Sequence, residues 1–185
     1  ASYHRALARM IESTRRRFGA CILIDCHSMP SIGGPMDADK GANRVDMVLG
    51  DCHGTSCAPA ITDRLAERAG AEGFSVVRNN PYAGGYTTRH YGRPADGVHA
   101  LQIEINRELY MDERAIALGP GLATLTDRIE GLVEALVQPR PHPLSHGTIQ
   151  DRNTCSQDNA KGLRNRCRYI FLSDQLIDWT KKWRL

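Results

Sequence analysis

Residues 22–30 read ILIDCHSMP: three aliphatic residues suited to a buried strand, then an acid, a thiol, an imidazole and a hydroxyl with no turn residue between them. An imidazole fixed at the end of a rigid strand suits a zinc ion or another divalent metal, and His27 occupies that position. Asp25 lies two residues earlier, on the same side of an extended chain, where a carboxylate orients the ring from behind. A hydrogen-bonded structural histidine is the other reading of this segment.

A second chemical signal is Glu104 in LQIEINRELYM, flanked by Ile103 and Ile105. A carboxylate buried among aliphatic residues is costly unless it is paired, protonated or put to use. General-base attack on a metal-bound water would be such a use, and an ion pair with Arg107 is the alternative. The third signal is the loop NNPYAGGYTTRHYGRP, which holds Asn80, Gly84, Gly85, Tyr86, Arg89 and Arg93. Arginine grips a carboxylate through two parallel hydrogen bonds, and glycine lets backbone N–H groups approach a ligand. Tyr82, Tyr86 and Tyr91 can line the same pocket, although a solvated loop with surface arginines would look similar. No Lys- or Ser-bearing helix follows the glycine pair, so this is not a phosphate-binding loop. Cys26 and Cys57 lack a Cys–His spacing and are expected to be small apolar residues rather than nucleophiles. His53, His90 and His99 are secondary candidates.

The elements that must hold these residues follow from periodicity. A helix is expected over 3–18, with Leu7, Met10, Ile11 and Phe18 on one stripe, followed by a strand at 20–25. A Gly- and Asp-rich loop (31–45) leads to a strand at 45–51. Next comes a helix over 58–69, capped by Thr55 or Ser56 and closed by Gly70. Strands at 74–79 and 99–106 flank the long loop 81–97, and a last amphipathic helix covers 121–137. Alternating strands and helices, with strands apolar on both faces, indicate an α/β fold whose largely parallel sheet is covered on two sides. Ligand sites in such folds lie beyond the carboxyl ends of strands, where His27, Asp51, His53, Asn79 and Asn80 fall.

The character changes after residue 138. PRPHPLSHG suggests a domain exit, and 139–185 reads as a linker and atypical tail holding nine Lys/Arg against four Asp/Glu. The remaining 138 residues carry fifteen against seventeen, so the overall charge of +3 belongs to the tail and gives no sign of a nucleic-acid partner. No apolar run approaches the roughly 18 residues of a membrane span, and the first residues are not a secretory signal, so a cytoplasmic protein with no membrane partner is expected. The six cysteines contain no CxxC pair and are expected to be mostly reduced thiols.

Taken in order, YHRAL at 3–7, LIDCHSMPS at 23–31, DMVLGDCHGTSCAP at 46–59, NNPYAGGYTTRHYGRP at 79–94 and GVHALQIEINRELYMDE at 97–113 resemble the N-formylglutamate amidohydrolase (deformylase) family. The resemblance covers about 3–137, and its last two stretches are long and distinctive. It implies a three-layer α/β sandwich around a mostly parallel or mixed sheet, similar to the zinc carboxypeptidases and aspartoacylase, in the phosphorylase/hydrolase-like class. It also implies a zinc-dependent hydrolase that converts N-formyl-L-glutamate to formate and L-glutamate late in histidine degradation. By the resemblance His27 is a zinc ligand with Asp25 behind it, and Glu104 is the general base. Arg89, with Asn80, Gly85 and Tyr86, contacts a small-molecule substrate. The family pattern further implies an upstream histidine-bearing segment with the other metal ligands, so residues 1–138 are expected to be the C-terminal part of the family's domain. A hydrolase of another N-acyl amino acid, and a catalytically inactive α/β binding module, are the other readings.

Overall fold

The computed structural model describes residues 2–137 and the backbone of 167–173. Helix α1 (Ser2–Phe18) buries Leu7 and Ile11 and ends in Arg15, Arg16 and Arg17, cations that complement the negative end of the helix dipole. Met10, expected on the buried stripe, is turned to solvent at 43% exposure. Strand β1 (Ala20–Met29) is longer than expected and takes the whole Asp25–Ser28 stretch into the sheet. Then follow β2 (Met47–Gly50), α2 (Pro59–Ala71), β3 (Val76–Arg78), α3 (Tyr86–Tyr91), β4 (Val98–Asn106), β5 (Met111–Asp112), β6 (Ala117–Leu118), α4 (Leu122–Val137) and β7 (Cys167–Ser173).

The main sheet has the order β3-β2-β4-β1-β7. Strand β1 runs parallel to both β4 and β7, and β2 is parallel to β3. The β2–β4 pair is antiparallel, so the sheet is mixed. One face buries Ile22, Ile24, Ile103 and Leu49 against Leu65 of α2 and Ile129 of α4. The other buries Cys21, Leu23, Val98 and Ala100 beneath Leu7 and Ile11 of α1 and Tyr91 of α3. The result is the three-layer α/β sandwich expected. Truncating a leucine or isoleucine of either layer to alanine costs about 2–5 kcal/mol.

Two local expectations are corrected, one for α2 and one for the loop 81–97. Helix α2 has Ala58 at its N-cap with no side-chain cap. Ser56 Oγ instead donates to the Ala100 carbonyl at 2.9 Å, and Thr55 Oγ1 to the Cys52 carbonyl at 2.7 Å. The helix also runs past Gly70 to Ala71. The loop 81–97 contains α3, whose six residues are too few to show a helical period, and a 3-10 turn at Pro94–Asp96. Within the expected tail, Cys167–Ser173 pairs with β1 as a strand of the sheet. The boundary expected at 138–139 lies outside the described residues.

Candidate active site

The site arises because one sheet face changes character halfway along two adjacent strands. On β1, Cys21 and Leu23 are followed at the same parity by Asp25 and His27, and on β4, Val98 and Ala100 are followed by Gln102 and Glu104. The parallel register sets Asp25 beside Gln102 and His27 beside Glu104. Side chains alternate across a strand, so these four share the face on which α1 and α3 cover only the apolar end. The polar end lies at the carboxyl ends of β1 and β4, where α/β sheets carry their ligand sites.

Asp25 is 3% exposed, and its Oδ1 lies 3.2 Å from His27 Nε2. Glu104 is buried at 6% exposure. Burial pushes its carboxyl above the ordinary range, against the downward pull of nearby His27 and of the Gln102 amide. Its hydrogen-bond partner is Gln102, whose Nε2 donates to Oε1 at 2.7 Å. The alternative partner, Arg107, instead donates to Ser28 Oγ and the Ser28 carbonyl at 3.1 and 3.3 Å.

Beyond β2 the chain turns through left-handed backbone at Cys52, His53 and Gly54, with φ of 51°, 56° and 82°. Asp51, fully buried, organises this turn: Oδ1 accepts from Gly54 N–H at 3.0 Å and Asn79 Nδ2 at 2.8 Å, and Oδ2 from Arg78 Nη2 at 2.5 Å. Burial alone pushes the Asp51 carboxyl up, but donors from Asn79, Arg78 and Gly54 outweigh it and hold the group below its ordinary value. Asn79, rather than the exposed Asn80, is therefore the asparagine that ties this region together.

The glycine loop sits on the sheet. Gly85 N–H donates to Gln102 Oε1 at 2.6 Å, and Cys52 N–H to the Ala83 carbonyl at 2.7 Å. Tyr86 is 60% exposed and stacks on His90 at 4.9 Å between centroids. Arg89 is exposed and donates through Nη1 to the Gly84 carbonyl at 2.7 Å. Helix α3 is anchored by His4 of α1, whose Nδ1 lies 2.7 Å from Tyr91 Oη. The fold thus sets an Asp25–His27 pair on β1 beside a Gly85–Gln102–Glu104 hydrogen-bonded run on β4, carries Tyr86 and Arg89 on the exposed side of the glycine loop, and leaves Asn80 at the loop's base. Gln102 was not anticipated from sequence, although its parity with Glu104 in a strand was the available signal.

Cys26, Cys52 and Cys57 are free thiols. Burial raises the Cys26 thiol far above its ordinary value and pushes Cys57 up to about 12, which suits inert core residues. Cys26 also faces away from His27, into the core on the α2–α4 side. Of the remaining histidines, His53 and His90 are exposed, and His99 Nδ1 accepts from Ala58 N–H at 3.3 Å.

A catalytic zinc takes three protein donors plus water. Among the described residues no group of three His, Cys, Asp or Glu is arranged to hold a metal ion. The described residues therefore do not make a complete zinc site; they present one imidazole with its carboxylate. Among them, too, no helix is long and apolar enough to cross a membrane.

Comparison with known proteins places this geometry in context. The sequence profile of the N-formylglutamate amidohydrolase family matches residues 1–111. The N-formylglutamate deformylase of Pseudomonas aeruginosa is 40% identical over 138 residues, covering 73% of this chain and 51% of that protein. The deformylase of Pseudomonas putida is 39% identical over 112 residues, covering 60% of this chain and 41% of that protein. The crystal structure of the N-formylglutamate amidohydrolase from Ralstonia eutropha JMP134 superimposes with a TM-score of 0.63 at 37% identity, covering 73% of this chain and 48% of that one. The chain spans about half the length of the curated relatives it matches.

Proposed function

The chain belongs to the N-formylglutamate amidohydrolase family, and from that premise we propose that it carries the base-bearing part of an enzyme that hydrolyses N-formyl-L-glutamate to formate and L-glutamate. The observation that carries this reading is Glu104: a buried carboxylate with raised proton affinity, beside His27 on a polar strand end. Such a group holds a proton more readily than an ordinary carboxylate, which suits a general base. It removes a proton from the attacking water as the hydroxyl adds to the formyl carbon. It then returns that proton to the amine nitrogen as the C–N bond breaks, leaving formate and the amino acid.

The formyl group is small, so substrate affinity must come chiefly from the two carboxylates of glutamate. Arg89, with Gly85, Tyr86 and Asn80 along the same loop, is our assignment for that contact. His27 is assigned as one donor to a divalent metal, zinc by the family resemblance, whose other donors lie beyond the described residues. The fold subtype we assign is that of the zinc carboxypeptidases, with the protein placed in the cytoplasm and in histidine degradation. Formate release from N-formyl-L-glutamate, compared with N-acetyl-L-glutamate and with Glu104→Gln, tests the reading. Selective release that disappears in the variant supports it, and turnover that survives Glu104→Gln overturns it.

A further inference from the structure

Two residues of the site are joined by an uninterrupted run of hydrogen bonds. Arg89 Nη1 donates to the Gly84 carbonyl at 2.7 Å. That carbonyl belongs to the same peptide group as the Gly85 N–H, which donates to Gln102 Oε1 at 2.6 Å. The Gln102 amide then donates from Nε2 to Glu104 Oε1 at 2.7 Å. A guanidinium stands at one end, a carboxylate at the other, and two amide groups lie between them with their dipoles aligned.

The direction of the run is fixed by chemistry. A backbone N–H can only donate, so the Gln102 amide oxygen must face Gly85 and its NH2 must face Glu104. Glu104 Oε1 is thereby engaged, and Oε2 is left to exchange a proton. Each donor in such a chain polarises the next group and strengthens its bond, most of all in a buried setting. Gln102 is 5% exposed and Glu104 6%.

The loop has little freedom to leave this arrangement. A Cβ on Gly50, at the end of β2, would lie 2.8 Å from both the Ala83 carbonyl carbon and the Gly84 nitrogen. Gly84 has φ of 126°, backbone that favours glycine, and a Cβ there would meet Thr88 Oγ1 at 2.6 Å and Cys52 Sγ at 2.7 Å. The peptide between Gly84 and Gly85 is held from below by the sheet and from outside by Arg89.

We infer that Gln102 is a positioning residue that couples Arg89 to Glu104: it aims one oxygen of the base and links that aim to the seating of the substrate loop. The catalytic part of this inference rests on the reading of Glu104 as the base; the hydrogen-bonded link does not. An anionic substrate drawn to Arg89 therefore meets a loop already tied to the group that activates water.

The test uses the full 185-residue chain with Gln102→Met, Gln102→Glu, Arg89→Ala and the double variant Arg89→Ala/Gln102→Met. Each is first checked for cooperative thermal unfolding. The first readout, amide exchange by NMR, needs no turnover. Exchange at Gly85 N–H accelerates about tenfold or more in Gln102→Met, and stays slow in Gln102→Glu, whose carboxylate still accepts. The second readout is formate release. Both Gln102 variants lower kcat about tenfold or more with KM within about threefold, because each removes the donor to Glu104. The kcat loss caused by Arg89→Ala shrinks once Gln102 is methionine, the signature of residues acting through one another. Unchanged Gly85 exchange in Gln102→Met, or kcat losses that simply add in the double variant, overturn the coupling. A parent chain that releases no formate sinks the catalytic reading instead. Exchange of the Gln102 side-chain NH2 protons then decides the link: acceleration in Glu104→Ala upholds it, and no change refutes it.

Discussion

His27 and Glu104 are register partners across the parallel strands β1 and β4. An imidazole and a buried carboxylate are thus held by two backbones rather than by a flexible loop, which is how a rigid sheet gives fixed geometry to reacting groups.

Glu104→Gln is expected to lower turnover about a thousandfold, within the range of general acid–base contributions. The same change should raise the unfolding temperature at neutral pH. The folded carboxyl binds its proton more tightly than the unfolded one, so the stability it contributes is full below the ordinary glutamate pKa and is lost as pH rises through the folded value. Once pH has risen through that folded value, the native carboxylate is a burden that the amide lacks. Thermal unfolding at pH 7 and pH 4 measures this, and a variant less stable at pH 7 contradicts it.

Asp51 governs the acid limb of stability. Its pKa is held below the ordinary value, so its contribution is present above the unfolded pKa and is lost as pH falls through the folded one. Asp51→Ala should cost about 1–3 kcal/mol at neutral pH, since it leaves the Gly54 N–H, the Asn79 amide and one arm of the partly exposed Arg78 without their acceptor. Acid unfolding followed by circular dichroism should show the variant melting at higher pH than the parent.

Arg89→Ala should raise KM for N-formyl-L-glutamate about tenfold, in line with the loss of a charge-assisted contact to a carboxylate. Its effect on kcat, transmitted through Gln102, should be the smaller of the two. Steady-state kinetics separates them, and an unchanged KM rules out Arg89 as the carboxylate contact.

Gly50→Ala tests the loop seat with one methyl group. The added carbon meets backbone at Ala83 and Gly84 at 2.8 Å, which must move because neither is a flexible side-chain end. Such overpacking costs about 1–3 kcal/mol. Gly85 amide exchange should quicken along with the loss in unfolding temperature; a variant as stable as the parent would show that the loop shifts without cost.

Metal titration follows from the donor inventory. Among the described residues the donors are a single imidazole backed by a carboxylate, which hold zinc far less well than a three-donor site, so a site made of these alone should bind zinc no tighter than about micromolar. Calorimetry with the parent and His27→Ala measures this. Nanomolar binding that survives His27→Ala would exclude His27 from the site.

Much of this arrangement was legible in the residues themselves. Apolar runs at 20–25 and 99–106 identify β1 and β4, and the cost of burying a carboxylate between Ile103 and Ile105 singled out Glu104, whereas His27, just past the first run, read equally as a structural histidine until the ordered family motifs were taken together. What the chain could not reveal locally was pairing. Only the tertiary register brings Asp25 beside Gln102 and His27 beside Glu104, joining residues 77 positions apart. The same register makes Gln102 a bridge rather than an ordinary polar residue. Asn79 rather than Asn80, α3 within the glycine loop, and the joining of 167–173 to β1 were also decided by the fold. Hydrophobic periodicity reports which side of an element is buried, and it is blind to what lies across the sheet. Hydrogen-bond partners are chosen there, by the geometry of neighbouring backbones.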